Sequence, residues 1–72
     1  MNNIQDIVPF MKDGWVAMDE TGDWWWYSEK PFIGIKQWHT EATSYTGMID
    51  NDVFSIAPAE DWTKSLIKVG GE

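Results

Sequence analysis

The stretch Trp15–Tyr27, WVAMDETGDWWWY, decides how this chain folds. Residues 14–19, GWVAMD, read as a strand, and residues 23–28, DWWWYS, as its return. Residues 19–23, DETGD, join them through a glycine able to take positive φ, which is hairpin chemistry. Successive strand residues point to opposite faces, so three consecutive tryptophans cannot all lie on one side. Loop length sorts them, because the side-chain period is two. A four-residue loop at 19–22, or a two-residue loop at 21–22, groups Trp15, Ala17, Trp24, Trp26 and Ser28 on one face. Val16, Met18, Trp25 and Tyr27 then share the other face. A three-residue loop would re-sort them.

Neither face is polar, whereas an antiparallel sheet with one wet side alternates apolar and polar residues. Ala17 among three indoles suits an interdigitated layer. Trp15, Trp24 and Trp26 are therefore expected in the core, beneath a C-terminal helix carrying Trp62 and Leu66. Val16, Met18, Trp25 and Tyr27 are left facing outward. Trp and Tyr dominate binding hot spots, and Met adapts to varied partners. The competing expectation is that segment 4–11 folds over this outer face, since a contiguous apolar patch needs a cover.

The flanking sequence is less regular. In residues 2–11, NNIQDIVPFM, the residues Ile4, Ile7, Val8 and Met11 follow helical spacing, with Asn2 or Asn3 as cap. Pro9 restricts that helix to about residues 3–8. Residues 32–38, FIGIKQW, read as a third strand in which Gly34 marks a bulge or a close approach. Residues 39–47 read as polar loop, 50–52 as a turn, and 53–57 as a strand broken by Pro58. Residues 59–69, AEDWTKSLIKV, read as a helix with Glu60 and Asp61 in the first turn and Lys64 and Lys68 later. Gly70 and Gly71 close it. The expected fold is α+β and mostly β, a single domain over residues 1–72. Its antiparallel sheet has three to four strands around the 14–28 hairpin, with a short C-terminal helix.

Composition narrows the chemistry. There is no Cys among the 72 residues, so no disulfide helps the fold, and six Trp, three Phe and two Tyr must supply the core. Twelve acidic residues face five basic ones, every one a Lys, for a net charge of −7. That balance repels a phosphate backbone, so direct nucleic-acid binding is not expected. It favours a partner with a basic surface, although acidity also simply keeps small proteins soluble. No apolar run approaches the roughly 20 residues of a membrane span, and the N-terminus lacks a signal-peptide pattern. A cytoplasmic protein without membrane attachment is expected.

His39 is the single histidine, beside Thr40, Glu41, Thr43 and Ser44, and reads as a loop residue rather than part of a triad. Asp19, Glu20 and Asp23 around Gly22 read as turn chemistry, without the alternation of a calcium loop. Asp50 and Asp52 around Asn51 read the same way. No glycine-rich phosphate loop is present. No enzyme activity, metal or cofactor is expected.

Trp15, Ala17, Asp19 and Gly22, then Ser28 to Pro31, then Asp61, Trp62, Ser65 and Leu66 form the pattern W-x-A-x-D-x-x-G, S-E-K-P, D-W-x-x-S-L. This pattern resembles small Trp-rich proteins encoded by tailed bacteriophages and prophages. The resemblance covers the middle third and the tail and carries no catalytic motif. It implies a protein that works by binding, or by binding and inhibiting, a host or phage protein.

The expectation is thus a non-enzymatic acidic protein-binding module. Val16, Met18, Trp25 and Tyr27 form its apolar anchor, and Asp19, Glu20 and Asp23 at the hairpin tip steer it toward a basic surface. Two alternatives use the same face. One is a structural protein that self-associates into a homo-oligomer. The other is a carbohydrate-binding module that packs sugar rings on Trp faces, with Asp, Asn or Gln as hydrogen-bond partners.

Overall fold

The computed structural model, which describes residues 1–70, is built around the Trp15–Tyr27 hairpin. Its strands β1 (Gly14–Met18) and β2 (Trp24–Tyr27) occupy the centre of a four-stranded antiparallel sheet. β5 (Thr46–Met48) flanks β2, and β6 (Ile67–Val69) flanks β1, giving the order β5-β2-β1-β6. A second, two-stranded sheet pairs β3 (Phe32–Ile33) with β4 (Trp38–His39). The helices are single turns, α1 (Ile4–Ile7) and α2 (Asn51–Phe54), with 3-10 turns at Val8–Phe10 and Trp62–Lys64. Among the described residues no helix is long and apolar enough to cross a membrane.

The hairpin loop has three residues. Met18 lies opposite Trp24, Ala17 opposite Trp25, Val16 opposite Trp26 and Trp15 opposite Tyr27. The Asp19 N–H donates to the Asp23 carbonyl at 2.9 Å, and the Gly22 N–H to the Asp19 carbonyl at 2.9 Å. Gly22 closes the turn at φ 92°, a region that suits glycine. Thr21 Oγ1 donates to Asp23 Oδ2 at 3.0 Å and braces the loop. An odd loop re-sorts the faces, which corrects the expected grouping. Trp24 and Trp26 stand with Val16 and Met18, while Trp25 and Tyr27 stand with Trp15 and Ala17.

Both faces are covered. Val16, Met18 and Trp24 are buried with Ile4, Ile49, Ile56 and Val69, and Ile7, Val8 and Met11 pack against them. The N-terminal segment therefore does fold over a face of the hairpin, but over the one that holds Trp24. Its helix starts where the Asn3 side chain accepts from the Gln5 N–H, and Pro9 opens the following 3-10 turn. Asn2 ties the segment down: its N–H donates to the Ser55 carbonyl at 2.7 Å, and its carbonyl accepts from Ala57 at 2.8 Å. On the second face Ala17, Tyr27 and Trp38 are buried together, with Trp15, Trp25, Trp62 and Leu66 around them.

The expected C-terminal helix over 59–69 is instead a 3-10 turn followed by strand β6. The Asp61 side chain caps the turn by accepting from the Thr63 N–H at 3.0 Å. Ser65 then leaves the helical path. Its hydroxyl accepts from the Met18 N–H at 2.8 Å and donates to the Trp62 carbonyl at 2.7 Å. Beyond it the open edge of β1 offers a ladder to residues 67–69, with Trp15 opposite Lys68 and Val16 opposite Ile67. Pairing with a central strand overrides helical spacing, because it buries Val69 and satisfies β1 at once. Gly71, expected to close the helix, lies outside the described residues.

Three further expectations change. The single strand over 32–38 is instead the hairpin of β3 and β4, in a sheet of its own. The strand over 53–57 is a helical turn, since the Asp50 carbonyl accepts from Val53 at 3.1 Å and from Phe54 at 3.0 Å. Ser55, at φ 49°, ends that turn. The polar loop over 39–47 gives up its ends to strands, His39 to β4 and Thr46 and Gly47 to β5.

Candidate functional site: a cleft beside the hairpin tip

The β3–β4 hairpin docks on the tip of the β1–β2 hairpin and creates a concavity between them. Three N–H donors hold the docking. The Glu20 N–H donates to the Lys36 carbonyl at 3.1 Å. The Trp38 N–H donates to Asp19 Oδ1 at 2.9 Å. The Trp38 indole N–H reaches the Met18 carbonyl at 3.1 Å and the Trp62 carbonyl at 3.3 Å. Trp38 is thereby pinned, with 9% of its surface exposed. The turn before it needs Gly34, because a Cβ there would collide with the His39 ring and the Gln37 carbonyl. His39 in turn stacks on Phe32, with ring centroids 5.9 Å apart. The close approach expected at Gly34 is this one.

The resulting cleft has a volume of about 260 Å³. Trp25, Tyr27 and Thr46 of the sheet line one side, Gln37 to Thr40 the other, and Asp19 contributes its carboxyl. Burial raises the Asp19 pKa above its usual value, and the charge of Asp23 adds to the rise. The Trp38 N–H and His39 oppose it. Burial also pushes the Tyr27 phenol up to about 12, helped by the Asp19 charge, so Tyr27 stays neutral. Three aromatic residues and a partly desolvated carboxylate thus meet in one cleft. Ring faces attract cations, and a cation beside Asp19 offsets the cost of its lost hydration.

Of the seven residues expected to bind a partner, Asp19, Trp25 and Tyr27 converge here. Glu20 and Asp23 are exposed at the adjoining hairpin tip. Val16 and Met18 are a correction: the three-residue loop turns them to the opposite face, where they are 0% and 4% exposed within the core. Tyr27 is itself 4% exposed, so it offers the cleft an edge rather than a free ring. Sequence reasoning missed Trp38, His39, Gln37, Thr40 and Thr46. A tryptophan ending the run after Gly34 was the available signal for Trp38.

A second concavity, of about 420 Å³, lies toward the other face. Met11, Trp26, Met48 and Phe54 make it apolar, with Lys12 and Asp50 also in its lining. The Trp26 indole N–H donates to the Lys12 carbonyl at 2.9 Å, which fixes the ring. Met48 and Phe54 are 59% and 40% exposed. Among the described residues no group of three His, Asp or Glu stands together so as to hold a metal ion. No family model, curated protein or solved structure matches the chain.

Proposed function

We propose that this protein is a non-enzymatic, acidic binding module whose cleft receives a basic side chain, lysine or arginine, of a partner protein. The observation that carries this reading is the Asp19 carboxyl standing among Trp25, Tyr27 and Trp38 in one concavity. A cation there gains from the carboxylate and from the half-buried Trp25 ring. The net charge of −7 draws a basic surface in from a distance, and Glu20 and Asp23 at the tip extend that field to the rim. The resemblance to phage-encoded proteins makes a cytoplasmic host or phage protein the partner class. Inhibition follows where the captured basic residue belongs to that partner's working surface.

The test is a titration with N-acetyl-lysine amide and with an oligolysine peptide, read by Trp fluorescence and by the indole signals of the NMR spectrum. A cation–π contact is worth about 0.5–2 kcal/mol, so Trp25→Ala is expected to weaken binding by about 2- to 30-fold. Asp19→Asn is expected to weaken it as well. Wild-type affinity in both variants overturns the reading. One second reading has an observation of its own: Gln37, Thr40 and Asp19 set hydrogen-bonding groups around Trp25, as a sugar ring requires. Saturable binding from a glycan panel, with no response to lysine, selects that reading.

A further inference from the structure

We infer that the partner enters as an extended segment that adds to the open edge of β5, with basic side chains directed to the cleft and apolar ones to the groove. This rests on the reading of the cleft as a cation site and specifies what presents the cation.

β5 ends the four-stranded sheet, and all three of its residues are exposed. The Ile49 N–H donates to the Trp24 carbonyl at 2.9 Å, and the Ser28 N–H to the Tyr45 carbonyl at 2.9 Å. In an antiparallel ladder alternate residues turn toward the partner strand, so residues 45, 47 and 49 face β2. The N–H and C=O groups of Thr46 and Met48 therefore point away from the sheet. Soluble proteins blunt such an edge with charge, proline or a cover. The opposite edge, β6, carries Lys68, whereas β5 reads Thr-Gly-Met. Nothing stands within 4 Å of where a Gly47 Cβ would be, so the groove-side face of β5 is open at that position.

The two concavities flank this edge. Thr46 lines the cleft together with Trp25 and Tyr27, and Gly47 and Met48 line the groove together with Trp26. Trp25 and Trp26 belong to opposite faces of the sheet. An added strand runs about 4.8 Å beyond β5 and sends alternate side chains to the two faces. A lysine stem is long enough to pass over Thr46 toward Trp25 and Asp19, while its neighbours drop toward Trp26 and Phe54. Main-chain pairing then supplies affinity and the alternating pockets supply specificity. Charge selects the occupant. A second copy would bring its own −7 to an edge without lysine, whereas a segment alternating basic and apolar residues complements both concavities.

Two synthetic peptides of one composition test this, acetyl-KVKVKVK-amide and acetyl-KKKKVVV-amide. The alternating peptide is expected to bind at least tenfold more tightly and to slow amide hydrogen exchange at Thr46 and Met48 at least tenfold. Met48→Pro removes an N–H that the fold does not use, and it is expected to cost the alternating peptide tenfold or more while near-UV circular dichroism is kept. Equal affinity for the two peptides, no binding of either, or unslowed exchange at saturation overturns edge addition. So does sedimentation showing a dimer that protects the same amides without peptide. If acetyl-lysine amide still binds in those cases, the cleft reading survives alone. If the alternating peptide protects the edge but is indifferent to Asp19→Asn and Trp25→Ala, edge addition stands and the cleft reading fails.

Discussion

Trp24 and Asp19 show how single side chains set stability against use. Trp24 is 1% exposed, and its indole N–H is buried without a hydrogen-bond partner among the described residues. An unpaired buried donor costs about 1–3 kcal/mol. Trp24→Phe removes that donor and leaves a smaller void than Trp24→Ala. Its loss in urea unfolding is expected to fall clearly below the about 3–5 kcal/mol typical of Trp→Ala. Asp19 has a folded pKa raised above 3.8, so the native state holds its proton longer than the unfolded chain. Its contribution is most favourable below 3.8 and is lost as pH rises through the folded pKa. Asp19→Asn keeps the acceptor for the Trp38 N–H and abolishes the titration. It is expected to be at least as stable as the parent at neutral pH in thermal melts, and to flatten the acid side of the profile, while binding cations more weakly. Tyr27 behaves likewise at the alkaline end. Stability is expected to fall between pH 10 and about 12, and Tyr27→Phe is expected to remove that fall.

At the scale of elements, the hairpin was legible and its register was not. The turn chemistry of DETGD and the flanking apolar runs announce two paired strands. The turn chemistry favoured an even loop of two or four residues, and the odd loop that forms exchanges the companions of every tryptophan. The structure settles on three because Gly22 takes φ 92° and Thr21 braces Asp23. Gly22→Ala is expected to cost about 1–2 kcal/mol by forcing a Cβ into the left-handed region. Inserting one residue between Glu20 and Gly22 restores an even loop, which would turn Trp24 and Trp26 away from Ile4 and Ile56. Loss of the near-UV dichroism of the aromatic core is the expected result. Ser65, only 4% exposed, holds the Met18 N–H where the C-terminal chain turns from 3-10 geometry into β6. Ser65→Ala leaves that N–H without its acceptor and is expected to cost about 1–3 kcal/mol in urea unfolding. The helical spacing of Trp62, Leu66 and Val69 was real, but it contained no information about the open edge of β1 waiting for it.

Across the whole molecule, charge acts on folding and on binding in opposite directions. A net charge of −7 repels itself in the compact state, and salt screens that repulsion, with a Debye length of about 10 Å at 0.1 M. Rising salt is expected to raise the thermal midpoint and, over the same range, to weaken capture of a cationic peptide. A peptide affinity that does not respond to salt removes the electrostatic part of the proposed recognition. The candidate site also belongs to this scale. Asp19 and Trp38 meet across 19 residues of sequence, and the cleft exists only because the β3–β4 hairpin docks on the tip of β1–β2.

The sequence by itself determined the central hairpin, the short N-terminal helix with a cap at Asn2 or Asn3, the acidity, and the reliance on aromatics in a chain without cysteine. These follow from local spacing, turn chemistry and composition, which neighbouring residues settle among themselves. It also singled out Asp19, Trp25 and Tyr27. Only the tertiary structure decided which face each tryptophan joined, that the C-terminal segment is a strand, and that those three residues share a cleft with Trp38. The reason is that each of these depends on a partner distant in sequence: an open strand edge, a covering segment, a docked loop. Burial and backbone pairing with that partner outweigh the preferences of the local chain.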